Sequence, residues 1–188
     1  AAEAIERNAF LQSRMIAELL DMSRVTHGTI QLDLEILDLM ANVRAGVEMS
    51  AANIEKKAIR LEIADAGEPL PLLVEADAGR LQQIFGNILS NAVKFTPTGG
   101  RIRVSISRDA GHAQVVVADT GKGIAPEFLP FVFEIFRQQE QGMQRTHDGL
   151  GIGLSLVKKL TELLKGTVSV VSAGAGRGTE VTVRLPLA

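Results

Sequence analysis

The sequence has 188 residues, 46% of them hydrophobic, with a formal net charge of -2 at pH 7. That is enough chain for one domain and an appendage and enough apolar content for a core, without the basic excess that a nucleic-acid partner would require. Cysteine is absent, which excludes disulfides, thiol catalysis and cysteine zinc sites.

No apolar run approaches ~18 residues and no secretory signal opens the chain, so no membrane contact is expected within these residues. The compartment expected is cytoplasmic. Because the sequence opens inside a helix, it is expected to belong to a longer protein, and any membrane anchor would lie elsewhere in that protein.

In chain order, Glu3 to Arg24 reads as a long helix. Ile5, Ala9, Ile16 and Leu20, flanked by Leu11, Met15, Leu19 and Met22, form a wide apolar stripe that needs a partner. Helical pairing into a dimer is the favoured partner, packing on the following domain the other. Thr26-His27-Gly28 ends the helix, giving a division into residues 1–27 and 28–188.

Ile30, Leu32, Leu34 and Ile36 alternate with polar residues as in a strand. Asp38 caps a helix to about Lys57, with Leu39, Val43, Val47 and Ala51 on one side. Ile59, Leu61 and Ile63 form a second strand, Ala66 to Pro69 a turn, and Leu72 to Val74 a short strand. Asp77 is the N-cap of a helix running to Thr96, with Leu81, Ile84, Phe85, Ile88, Ala92 and Phe95 on its core face.

Arg101–Ser107 and Ala113–Ala118 form a hairpin. Val115-Val116-Val117 is apolar on both faces, so the second strand is central. Pro126 to Phe136 starts helical and turns irregular, and Gln138–Asp148 reads as a mobile loop. Leu150 to Lys165 is a helix burying Leu154, Val157, Leu160, Leu163 and Leu164. Thr167–Ser172 and Glu180–Leu185 close the chain as strands. The order predicts an α+β fold: a two-layer α/β sandwich with a mixed, mostly antiparallel sheet and helices on one face, preceded by the long helix.

Three segments suggest chemistry. Asn87, Asn91 and Lys94 stand at i, i+4 and i+7, so they share a helical face. Amide oxygens are hard ligands suited to Mg²⁺ and lysine suits phosphate, although a solvated helix side could hold the same residues. Asp119-Thr120-Gly121-Lys122-Gly123-Ile124 follows the buried strand. Its carboxylate would accept from an exocyclic amine and its glycines would admit a flat ring; a plain turn is the alternative. Gly149-Leu150-Gly151-Ile152-Gly153-Leu154 opens a helix, where backbone N–H groups can cradle phosphate. It has neither the dinucleotide spacing nor that of a P-loop.

In this order, with Phe133…Phe136-Arg137 and Gly176-Arg177-Gly178-Thr179 between and after, these segments resemble the ATP-binding domain of sensor histidine kinases. The likeness covers about Asp77 to Pro186. The first helix, ending Leu-Leu-Asp-Met-Ser-Arg24, resembles the second helix of that family's dimerisation and phosphoacceptor hairpin.

The resemblance implies ATP and Mg²⁺ as cofactors. Asn91 would hold the metal, with Asn87 assisting at metal or phosphate and Lys94 neutralising phosphate charge. Asp119 would take the adenine amine beside Gly121, Gly123 and Ile124. Gly149, Leu150, Gly151, Gly153 and Leu154 would form the phosphate cradle, with Thr179 near the base. Phe133, Phe136 and residues 138–148 would form a lid, with Arg137 reaching the transferring phosphoryl group. Such catalysis is positioning and charge neutralisation. The partners implied are a response-regulator receiver domain and a second copy through the helical hairpin.

His27 lies in a break, His112 in a hairpin turn and His147 in the lid, so none matches the acceptor position, and the acceptor His is expected outside these residues. Asp148 and Leu150 stand where many relatives have glycine and threonine. Two alternatives are a related conformational ATPase and a non-catalytic nucleotide-sensing module. The first needs a carboxylate base one turn before Asn91, where this chain has the amide of Asn87.

Overall fold

A computed structural model describes residues 2–65, 71–139 and 150–188. Helix α1 spans Ala2–Thr26. Strand β1 (Glu35–Asp38) leads into α2 (Leu39–Lys56), whose first turn is capped by the Asp38 side chain accepting from the Met40 N–H. Strands β2 (Arg60–Asp65) and β3 (Leu73–Ala76) precede α3 (Ala78–Phe95). Strands β4 (Arg101–Asp109) and β5 (His112–Asp119) form the central hairpin. After α4 (Gly153–Leu163), β6 (Thr167–Val171) and β7 (Thr179–Pro186) complete the sheet.

Five strands pair in the order β2-β4-β5-β7-β6, with β1 and β3 in a separate antiparallel ribbon. Among the described residues, only β2–β4 is parallel in the large sheet and the other three pairings are antiparallel. The expected α+β fold and the central place of β5 are therefore observed. Ile102, Val104 and Ile106 of β4 and Val115 and Val117 of β5 are buried, while Arg101, Arg103 and Gln114 alternate away from the core. The core joins this inner face to Val43 and Val47 of α2, Leu81, Ile84, Phe85, Ile88 and Leu89 of α3, and Leu156, Val157 and Leu160 of α4. Each such large side chain contributes about 1.5–3 kcal/mol on burial.

Several boundaries move. Residues 29–34 have no ladder partner among the described residues, and the first strand is confined to β1, paired with β3. Ile30 and Leu32 still pack on the core, which explains the alternation without a strand. On α2, Ala51 is exposed, and Ser50 and Ile54 are buried in its place. Pro126 to Phe136 yields only one 3-10 turn, Leu129–Phe131, because Pro130 has no N–H to extend a helix. On α4, Leu163 is exposed, Leu154 half-buried and Leu156 buried. Phe95 is 36% exposed rather than in the core. The expected turn at 66–69 lies outside the described residues, as does the expected loop from 140 onward.

Candidate nucleotide site

The site is built on α3. Asp77 starts this helix by accepting the Arg80 N–H, and the apolar face fixes its rotation against the sheet. That rotation presents Asn87, Asn91 and Lys94 along one flank, as their spacing predicts. Asn87 is 8% exposed, and its Nδ2 has no hydrogen-bond partner among the described residues. Asn91 and Lys94 are half-buried.

Gly153, the first residue of α4, faces these amides. A Cβ built on Gly153 would lie 3.9 Å from both the Asn87 carboxamide oxygen and the Asn91 amide nitrogen. The start of α4 has no side-chain cap from its N-cap Ile152, and this helix N-terminus, the positive end of its dipole, lies beside the two amides. The helix dipole and the Asn87 amide nitrogen, which has no partner among the described residues, are together suited to anionic oxygen.

The expected helix from Leu150 begins three residues late. Gly151 is in the left-handed region at φ +71, and a Cβ there would lie 2.7 Å from the Arg137 carbonyl oxygen. It is therefore a turn against residue 137, not a helical position. Leu150 packs half-buried against the core, Leu154 is half-buried, and Gly149 lies outside the described residues.

The second half of the site is at the end of β5. Asp119 pairs with Thr179 in the β5–β7 register. Its Oδ1 accepts the Gly121 N–H at 2.7 Å and the Thr179 N–H at 3.3 Å. Both donors converge on one oxygen, which leaves Oδ2 for an incoming donor such as an amine. Burial pushes the Asp119 carboxyl above its ordinary value, opposed by the Gly121 and Thr179 N–H groups.

Glycines make this corner possible. A Cβ at Gly178 would overlap the Asp119 carbonyl oxygen, and one at Gly123 would overlap the Gly174 carbonyl oxygen. The 119–123 loop is stitched to the 174–178 turn by the Gly178 N–H to the Gly121 carbonyl at 3.1 Å and the Gly176 N–H to the Lys122 carbonyl at 2.6 Å. The Ser172 hydroxyl accepts the Ile124 N–H at 2.9 Å and donates to the Gly178 carbonyl at 2.6 Å. Sequence reasoning missed Ser172, since nothing local marks a serine as the node between two distant loops.

The structure thus brings Asn87, Asn91 and Gly153 together, and Asp119, Gly121, Gly123, Ile124 and Thr179 together. Arg137 is engaged elsewhere: its Nε donates to Glu134 at 3.0 Å, and its guanidinium lies 5.2 Å from the Phe131 ring centroid. His27 ends α1 in an exposed contact with the Ser23 carbonyl, and His112 opens β5. His147 lies outside the described residues. No group of three or more acidic or histidine ligands occurs among the described residues. A metal here would therefore rest on amide oxygens together with phosphate and water, which suits Mg²⁺.

Residues 76–188 match the family described as histidine kinase-, DNA gyrase B-, and HSP90-like ATPase. The chain belongs to that family. It carries the family's ATP-binding catalytic domain in the form found in sensor histidine kinases.

Among curated relatives, the sensor histidine kinase TmoS of Ectopseudomonas mendocina is 38% identical over 98% of this chain and 19% of that protein. The histidine protein kinase DivJ of Caulobacter vibrioides is 35% identical over 99% of this chain and 30% of its own length. The crystal structure of full-length ShkA in complex with AMPPNP superposes with a TM-score of 0.84 at 32% identity, over 99% of this chain and 38% of that one. The chain therefore spans less than a third of the length of these two curated relatives.

Proposed function

We propose that this chain binds ATP with Mg²⁺ and supplies the γ-phosphoryl group to a histidine on a helical hairpin of the full protein, for relay to an aspartate of a response-regulator receiver domain. The observation that supports this best is the Asp119 carboxylate, set at the end of β5 with one oxygen taken by two backbone donors and the other left for the adenine amine. The Asn87–Asn91–Gly153 cluster is suited to the phosphate end.

In this reading Asn91 holds Mg²⁺ through its amide oxygen, Asn87 assists at metal or phosphate, and Lys94 balances phosphate charge. The start of α4 at Gly153 receives phosphate oxygens, with Gly149, Leu150, Gly151 and Leu154 shaping the cradle. Thr179 borders the base. Arg137 would have to leave Glu134 to reach the transferring group. The metal would neutralise developing phosphate charge, while the protein groups orient the nucleotide and exclude water. Asn87 is a poor proton acceptor, which favours transfer over water-activating hydrolysis.

We assign residues 1–27 to the dimerisation hairpin and residues 28–188 to the catalytic domain. Ile16, Leu19 and Leu20 of α1 are 58%, 40% and 53% exposed, an apolar stripe that supports pairing with a second copy. No described helix is long and apolar enough to cross a membrane. We place the domain in the cytoplasm, where ATP and a receiver domain are both present.

Calorimetry with a non-hydrolysable ATP analogue and Mg²⁺ tests the reading. Asp119→Ala should weaken binding about 100-fold, the order expected for losing a charge-assisted hydrogen bond in a recessed site. Equal affinity in both proteins overturns the adenine assignment. Sedimentation that shows a strict monomer at high concentration removes the dimer assignment for these residues.

A further inference from the structure

We infer that Lys57 is a positioning residue for the nucleotide site: its ammonium holds the end of α3, and through it the 119–123 loop, in the arrangement that accepts the base. This rests on the nucleotide reading above.

Helix α3 stops because Pro97 has no N–H, which deprives the Val93 carbonyl of its i+4 donor. The last carbonyls of a helix lack partners and form its negative end. Lys57 follows the last residue of α2 and reaches across to them. Its Nζ donates to the carbonyls of Val93 at 2.7 Å, Lys94 at 2.8 Å and Thr96 at 2.9 Å. An ammonium has three donors, and all three are used. The Lys57 carbonyl also accepts the Gly99 N–H at 2.9 Å. One residue thus fixes the segment from 93 to 99 at both ends.

The carbonyl left out of this set is that of Phe95, which accepts the Lys122 N–H at 3.2 Å. Gly121 passes so close that a Cβ there would lie 2.6 Å from the same oxygen. The Phe95 ring has the Lys122 ammonium 4.3 Å and the Lys94 ammonium 4.8 Å from its centroid. The loop that orients Asp119 is therefore held on one side by the end of α3, as it is on the other by the 174–178 turn, and Lys57 sets the α3 end. Losing the ammonium would leave three carbonyls to water and shift Phe95 relative to Lys122 and Gly121. The Gly121 N–H is one of the two donors that orient the Asp119 carboxylate.

A merely stabilising Lys57 would lower the melting temperature and leave the folded site unchanged. The test is Mg²⁺–AMP-PNP calorimetry on the full chain, wild type, Lys57→Met and Lys57→Arg, at a temperature where circular dichroism shows each folded. Amide hydrogen exchange at Lys122, referenced to Val117 on β5, is measured in parallel. We expect Lys57→Met to bind about tenfold more weakly, about 1.4 kcal/mol, with faster exchange at Lys122 alone.

Lys57→Arg keeps the charge but not the three-point geometry, so it should fall between, at roughly threefold weaker binding. Wild-type affinity and wild-type Lys122 protection in the folded variants overturn the inference. If Lys57→Met does not fold, Lys57→Arg decides on the same two readouts. If the wild type itself binds no nucleotide, the function proposed above fails, and Lys122 exchange still judges the hold of Lys57 on the loop.

Discussion

At the Asp119 end of the site the backbone sets the geometry; at the Asn87–Asn91 end side chains do. The Asp119 carboxylate is held by two N–H groups, and glycines at 123 and 178 leave no room for any side chain. The other end has an amide nitrogen without a partner among the described residues, and a glycine whose missing methyl would meet only van der Waals contacts. One end is assembled with the fold, whereas the other has polar capacity that a ligand would complete. Substitutions should therefore divide: a side chain added at the glycines around Asp119 damages stability and binding together, and changes near Gly153 separate the two.

The largest effect should come from Gly178→Ala. The residue sits at φ +71 with the Asp119 carbonyl oxygen where a methyl would go. Backbone strain and overlap together cost about 2–4 kcal/mol, and the melting temperature should drop by about 10 °C. A calorimetric scan that shows no loss would break the claim that this end is built into the fold.

Gly153→Ala should do the reverse. A helical alanine gains up to about 0.5 kcal/mol over glycine, while its methyl stands beside Asn87 and Asn91. We expect an unchanged or slightly higher melting temperature and about tenfold weaker binding of the ATP analogue. Unchanged affinity would mean that phosphate does not lie over the start of α4.

Asp119→Asn gives the smallest and most diagnostic shift. The Asp119 carboxyl is raised because burial disfavours its charge. Its charged form therefore opposes folding above the folded value, and that opposition is relieved as pH falls through it toward the ordinary value. At neutral pH the asparagine variant should be no less stable than wild type, and slightly more stable if its amide keeps the two N–H bonds. Thermal melts should show that advantage shrinking as pH is lowered into the carboxylate range. An advantage that grows on acidification would overturn the burial argument.

Local periodicity made much of this architecture legible. Phe95 apart, the apolar face of α3 and the i, i+4, i+7 spacing of its polar flank appear as the sequence implies, and Asp38 and Asp77 cap where N-cap chemistry predicts. The alternation of Ile30 to Ile36 misled because alternation reports a half-buried segment, and a hydrogen-bonding strand partner is a separate requirement. The start of α4 was misplaced because a positive φ at Gly151 is set by its approach to Arg137, which local sequence does not encode. Ser172 and Lys57 act on residues distant in sequence, and the serine resembles any surface polar residue until the chain is folded.

The overlap at Gly178 has a consequence for inheritance. Every single-base change in a glycine codon that alters the amino acid introduces a Cβ or ends the chain. Position 178 therefore has no neighbouring substitution that preserves the turn as it stands. Descent at that codon should proceed by synonymous changes alone, unless the paired Asp119 strand shifts with it.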